Sequence, residues 1–95
     1  MAEFVAGRGK RGEKDERAVG KYTMSVTVML TGVVAHRIRR FEQAGLLDPA
    51  RTESRQRLFS DRGIELIQEI AKLEDQGINM PGIKVILEMR KGGKD

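Results

Sequence analysis

Apolar residues recur along this chain at spacings that predict four helices. The first is short. It starts at Ser25, a residue type suited to an N-cap, and runs through Val26-Thr27-Val28-Met29-Leu30 until Gly32 breaks it. The second spans about Val34 to Ala44 and is ended by Gly45. The third opens at Ser60-Asp61 and continues to about Gln76, with Gly77 as its stop. Ile64, Leu66, Ile67, Ile70, Ala71 and Leu73 fill one half of its wheel, while Arg62, Glu65, Gln68, Glu69 and Lys72 fill the other. The fourth begins after Asn79, carries Pro81 in its first turn and reaches about Lys91, where Gly92-Gly93 frees the end. Its inner stripe is Ile83, Ile86 and Leu87.

The first two helices, joined by a tight glycine turn, form a helix-turn-helix pattern. On the second helix Ile38, flanked by Ala35 and Phe41, makes a packing side. His36 and Arg40 point away from it, with Arg37, Arg39 and Gln43 on the flanks. Such a comb of donors opposite a packing face suits a helix that reads base edges in a major groove. After Pro49, the stretch from Arg51 to Phe59 is too short and polar for a helix. It predicts a two-stranded hairpin with its tip near Glu53–Arg55, returning through Leu58 and Phe59 to the core. The expected fold is therefore mainly α: a winged helix-turn-helix of four helices and a small two-stranded β wing. Residues 22–91 make the domain, 1–21 a flexible basic arm and 92–95 a disordered tail. The arm is either a solvated tail or a strand-tracking basic segment.

Composition narrows the chemistry. The 95 residues allow one domain. The lack of cysteine excludes disulfides, thiolate metal sites and a cysteine nucleophile, and one histidine leaves zinc almost no ligands. No metal and no cofactor is expected. The first residues hold no apolar signal region and no run is long enough for a membrane helix, so the expectation is a cytoplasmic, nucleoid-associated protein. His36 has no neighbouring nucleophile or paired carboxylate and no phosphate loop is present, which argues against an enzyme. The net charge is +4, unevenly spread: residues 22–59 hold six basic groups, all arginine, against three acidic ones. Residues 60–95 hold six against seven. Arginine's planar fork grips phosphate or guanine at two points, so the arginine-only stretch points to an anionic partner.

Motifs in order sharpen this. Tyr22-Thr23, Gly32-Val33, Ile38-Arg39-Arg40-Phe41-Glu42, Gly45-Leu46-Leu47-Asp48-Pro49-Ala50-Arg51, Arg57-Leu58-Phe59-Ser60 and Gly77-Ile78-Asn79-Met80-Pro81-Gly82-Ile83-Lys84 follow one another at family spacing. From Tyr22 to Leu87 the chain resembles the DNA-binding domain of the MerR family of bacterial transcription regulators. Within that family it is most similar to the glutamine synthetase repressor and nitrogen-control branch, with the heat-shock repressor branch second. Two departures stand out: Val34 occupies a position that is often a capping Ser or Thr, and Ser54 takes a glycine-type position at the wing tip. The long dimerising helix and effector domain of larger members are not expected here.

The resemblance implies a sequence-specific regulator of transcription, a repressor on a pseudo-palindromic operator, binding double-stranded DNA as a weak or DNA-assisted homodimer. A protein co-regulator is a further possible partner. His36 and Arg40 are expected at base edges, Arg37 at a base or phosphate, and Arg39 at DNA unless it pairs with Glu42. Arg51, Arg55, Gln56 and Arg57 are expected to hold phosphates or probe the minor groove, the bland alternative being a solvated charged hairpin. Tyr22 and Thr23 sit where the family touches phosphate, though Tyr22 also fits the core edge. Phe41 and Phe59 are assigned to the core and Glu42 to structure. Val85 and Met89 lie off the inner stripe, as part of a broad buried face or as a dimer or partner surface. Two other readings stay open: an excisionase-like architectural DNA-binding factor, and a protein-interaction module.

Overall fold

The computed structural model describes residues 16–94, with side chains to Lys91. Expectations for residues 1–15 and for residue 95 lie outside these. A single 3-10 turn, Glu16–Ala18, precedes helices α1 (Met24–Thr31) and α2 (Ala35–Gln43). A two-stranded antiparallel hairpin follows, β1 (Ala50–Arg51) with β2 (Arg57–Leu58), then α3 (Asp61–Asp75) and α4 (Met80–Lys94). This is the mainly helical winged helix-turn-helix predicted from the residue pattern. Helix α4 continues to Lys94 instead of ending near Lys91. No described helix is long and apolar enough to cross a membrane.

Capping explains the boundaries. Thr23, not Ser25, caps α1: its hydroxyl accepts the Val26 N–H at 3.3 Å. Gly32 closes that helix in the left-handed region at φ 75°, where a side chain would be strained. Val34 is the N-cap of α2 and offers no side-chain bond, so that helix starts on backbone alone. Ser60 caps α3 through the Gly63 N–H at 2.9 Å, and Asn79 accepts the Gly82 N–H at 3.0 Å at the start of α4.

The core gathers Val33, Ile38, Phe41, Leu46, Leu47, Phe59, Ile67, Ile70, Ala71 and Ile83 from α2, α3, α4 and the segments that join them, with Met24 and Val28 of α1 packed against it. Phe41 and Phe59 are the largest fully buried side chains, as assigned from sequence. Tyr22 adds a bridge not foreseen: its N–H donates to the Phe59 carbonyl at 2.9 Å and its carbonyl accepts the Phe59 N–H at 2.7 Å. Gly20 enables the approach, since a Cβ there would lie 2.8 Å from the Leu58 carbonyl oxygen. Residues 16–21, assigned from sequence to the arm, are held against α3 by Arg17–Glu65 at 2.5 Å and Lys21–Asp61 at 3.1 Å.

Helix α1 divides its apolar residues: Met24 and Val28 pack against the core, and three others do not. Thr27 is fully buried, while Val26, Met29 and Leu30 are exposed. The Thr27 hydroxyl has no hydrogen-bond partner among the described residues. A buried, unpaired hydroxyl costs about 1–3 kcal/mol. Thr27→Val keeps the shape and removes the group, so thermal denaturation followed by circular dichroism should show a midpoint higher by about 5 °C or more. A lower midpoint would show that the hydroxyl contributes a bond.

Candidate nucleic-acid interface

The outward face of α2 carries His36, Arg39, Arg40 and Gln43, all exposed, while Ile38 and Phe41 turn inward. The side chains of His36, Arg39 and Gln43 make no hydrogen bond or ion pair among the described residues. Arg39 therefore does not pair with Glu42, the alternative weighed from sequence. The other two arginines of the helix differ. Arg37 donates from Nε to Glu74 at 2.9 Å and from a terminal nitrogen to Asp75 at 2.8 Å and to the Ala71 carbonyl at 3.3 Å. Arg40 donates twice to the second Glu74 oxygen, at 3.2 and 2.8 Å. Both guanidiniums lie over the Phe41 ring, 5.8 and 5.9 Å from its centroid. Arg37 and Arg40, expected from sequence at a duplex, are thus engaged by the chain's own carboxylates in this structure.

The wing shows the same division. Arg51 and Arg57 face each other across the hairpin register. Like charges so placed repel. Glu42 of α2 resolves this by accepting from Arg51 at 2.8 Å and from Arg57 at 2.7 Å, one oxygen each. Burial alone would raise the Glu42 carboxyl, but the hydrogen bond and charge of Arg57, then those of Arg51, outweigh it and hold the group below its ordinary value. The hairpin tip is closed by the Thr52 N–H to the Gln56 carbonyl and by the Thr52 hydroxyl accepting the Gln56 N–H. Arg55 and Gln56 project there, exposed, and their side chains are unpaired among the described residues. The glycine-type position is Arg55, with φ 71°, and not Ser54.

Two further predicted contacts have other work in this structure. The Tyr22 hydroxyl donates to Asp61 at 2.6 Å, and the Thr23 hydroxyl caps α1. That Tyr22 bond, with Lys21 next, holds the Asp61 carboxyl below its ordinary value. Val85 and Met89 are 54% and 68% exposed on α4, which excludes the alternative of a broad buried face. They lie one turn apart on the side away from Ile83 and Leu87. Sequence reasoning missed Glu74, Asp75 and Asp61 as partners, because pairs separated by 34 to 39 residues leave no local signal.

The pattern of the family described as "MerR HTH family regulatory protein" matches residues 22–90, the whole of this arrangement. The chain belongs to the MerR family. Among its relatives is the HTH-type transcriptional regulator GlnR of Bacillus anthracis, 37% identical over 79 residues, covering 83% of this chain and 61% of the relative. HspR of Streptomyces coelicolor is 41% identical over 69 residues, covering 72% and 46%. The HTH-type transcriptional regulator MlrA of Escherichia coli is 33% identical over 67 residues, covering 70% and 28%. The first two match the branches named from the motifs. This MerR-family chain thus spans about three fifths or less of the curated relatives it matches.

The lowered Glu42 carboxyl makes the wing acid-sensitive. Its pairing stabilises the fold fully above the unfolded value of about 4.3 and is lost as pH falls through the lower folded value. Thermal midpoints should therefore fall between about pH 5 and pH 3. Glu42→Gln should flatten part of this limb, leave the Asp61 share, and lower stability near pH 7 by about 1 kcal/mol after allowance for solvent screening. An unaltered acid limb in Glu42→Gln would show that the pairing does not stabilise the fold.

Proposed function

We propose that this domain binds double-stranded DNA in a sequence-specific manner and regulates transcription. The observation that carries the reading is the face of α2 on which His36, Arg39 and Gln43 present donors that no described residue claims. The wing is fastened beside it through Glu42. In this reading α2 enters a major groove, Arg39 takes a base edge or phosphate, and His36 and Gln43 probe neighbouring bases. Arg55 and Gln56 reach phosphates or the adjacent minor groove from the wing tip. Arg51 and Arg57 then act mainly by fixing the hairpin, and Tyr22 and Thr23 contribute through backbone placement. The protein is read as a binding protein rather than an enzyme, in keeping with a family of regulatory proteins. It would act at the nucleoid, in the cytoplasm.

Helix-turn-helix proteins commonly occupy two-fold sites as dimers. The exposed Val85 and Met89 supply an apolar surface for a second copy, and a dimer of this kind on a promoter would act as a repressor by occluding it. A protein co-regulator would compete for the same surface. Sedimentation of the Val85→Glu, Met89→Glu double variant should show dissociation to monomer with helix content intact. An unchanged oligomeric state would remove these residues from the interface.

Selection of bound sites from a random duplex library tests the reading as a whole. An inverted repeat with half-sites about one helical turn apart is expected. Direct repeats with extended footprints would favour an excisionase-like architectural factor. Absence of duplex affinity even at low salt would overturn DNA binding and favour a protein-interaction module. On the selected site Arg39→Ala should weaken binding by roughly ten-fold or more. Arg55→Gly should weaken all sequences about equally and reduce the salt slope by about 0.9. Because Arg55 sits at positive φ, the same change should raise stability by up to about 1 kcal/mol. Equal losses of affinity and stability would instead make Arg55 a structural residue.

A further inference from the structure

Glu74 occupies an unusual position for an acid. It and Asp75 are the last two residues of α3, at the end where the helix dipole already concentrates negative charge and cations are the favoured neighbours. Their compensation comes from another helix. One Glu74 oxygen takes Arg37 and the other takes both terminal nitrogens of Arg40, with Asp75 completing Arg37. The Arg37–Glu74 pair is 24% exposed on both sides and so better shielded than a typical surface pair, while Arg40, the other partner of Glu74, is 43% exposed. The four side chains sum to zero charge. Phe41, fully buried, lies beneath both guanidiniums within cation–π distance. Arg39 is left as the one cation on α2 without a carboxylate among the described residues.

From this arrangement we infer that Glu74 is a specificity-determining residue: it withholds Arg40, with Arg37, from the duplex and so limits the sequence-independent part of binding. The inference rests on the DNA-binding reading above. Phosphate contacts raise affinity for every sequence alike, whereas discrimination is the difference between the right site and all others. A recognition helix with three open arginines would adhere to any duplex. With Arg37 and Arg40 occupied, the same helix presents one guanidinium and the donors of His36 and Gln43, whose bonds depend on the base opposite. Arg37 keeps Asp75 and the Ala71 carbonyl when Glu74 is neutral, so Arg40 is the cation that Glu74 controls.

The test is a salt titration of the full chain on random duplex and on its selected site. Glu74→Gln should steepen the dependence of log K on log salt by about 0.9 on random duplex. Affinity there should rise roughly ten-fold at 0.1 M salt, and the preference for the selected site should shrink by a similar factor. Adding Arg40→Gln to Glu74→Gln should return the slope to that of the unaltered chain. Glu88→Gln changes net charge equally from an exposed residue with no pair among the described residues, and should leave the slope where it is. An equal steepening in Glu88→Gln and Glu74→Gln would overturn the inference, as would no steepening in a folded Glu74→Gln while the unaltered chain binds. Should Glu74→Gln not fold, Arg40→Gln alone decides: an unchanged slope supports the inference, and a slope lower by about 0.9 overturns it. Failure of the unaltered chain to bind any duplex at low salt would instead overturn the DNA-binding reading itself.

Discussion

One carboxylate joins the two halves of the candidate interface. A hairpin with two residues per strand has too little pairing to hold its own shape, and here the register sets two arginines opposite each other. Glu42 stands on the flank of α2 nearest Ile38 and takes one guanidinium on each oxygen. Repulsion across the hairpin thereby becomes attraction between hairpin and helix. On the other side, the Tyr22–Phe59 bridge and the burial of Phe59 attach the wing to the chain before α1. Wing and helix consequently behave as one surface, and any geometry offered to a partner follows from that attachment.

The arginines of the central segment sort by their carboxylates. Charge counting places a strong positive excess between residues 22 and 59, while the segment after it is slightly acidic. Folding brings the two segments together. Glu74 and Asp75 from the acidic segment cover Arg37 and Arg40, and Glu42 from within the basic one covers Arg51 and Arg57. Arg39 and Arg55 remain. The effective field at the helix and wing is thus narrower than composition suggests, with one open guanidinium on each. A partner meeting this surface finds two open guanidiniums among other hydrogen-bond donors, a pattern better suited to registering a defined site than to coating a polyanion.

Much of the fold was legible because its signals are local. The turn at Gly32, the cap at Ser60, the stop at Gly77 and the alternation into Leu58 and Phe59 each act within a few residues. Family motifs then fixed their order. What stayed hidden was non-local or a choice between equals. Thr23 and Ser25 are both fair caps two residues apart, and tertiary placement of Met24 and Val28 against the core selected Thr23. The positive φ fell on Arg55 and not on Ser54, because the Thr52–Gln56 bonds set the turn length. The helical wheel placed Arg40 outward, and it is exposed, but no wheel shows that the end of another helix stands beside it. Exposure and availability are different properties, and sequence periodicity reports only the first.

Local preference and tertiary structure disagree at four places. Val34 starts α2 without a side-chain cap, Arg55 holds a backbone conformation suited to glycine, Glu74 and Asp75 sit at the negative end of α3, and Thr27 buries an unpaired hydroxyl. Well-folded sequences keep such conflicts few, and those that persist tend to mark where function has overridden stability. Three of the four adjoin the start of α2, its arginines or the wing tip. Thr27 lies inside α1, which buries it while Val26, Met29 and Leu30 face outward, so its conflict belongs to the choice of which side of that helix packs. The conflicts that gather around α2 and the wing therefore single out the same surface as the unpaired donors do, by an argument independent of charge.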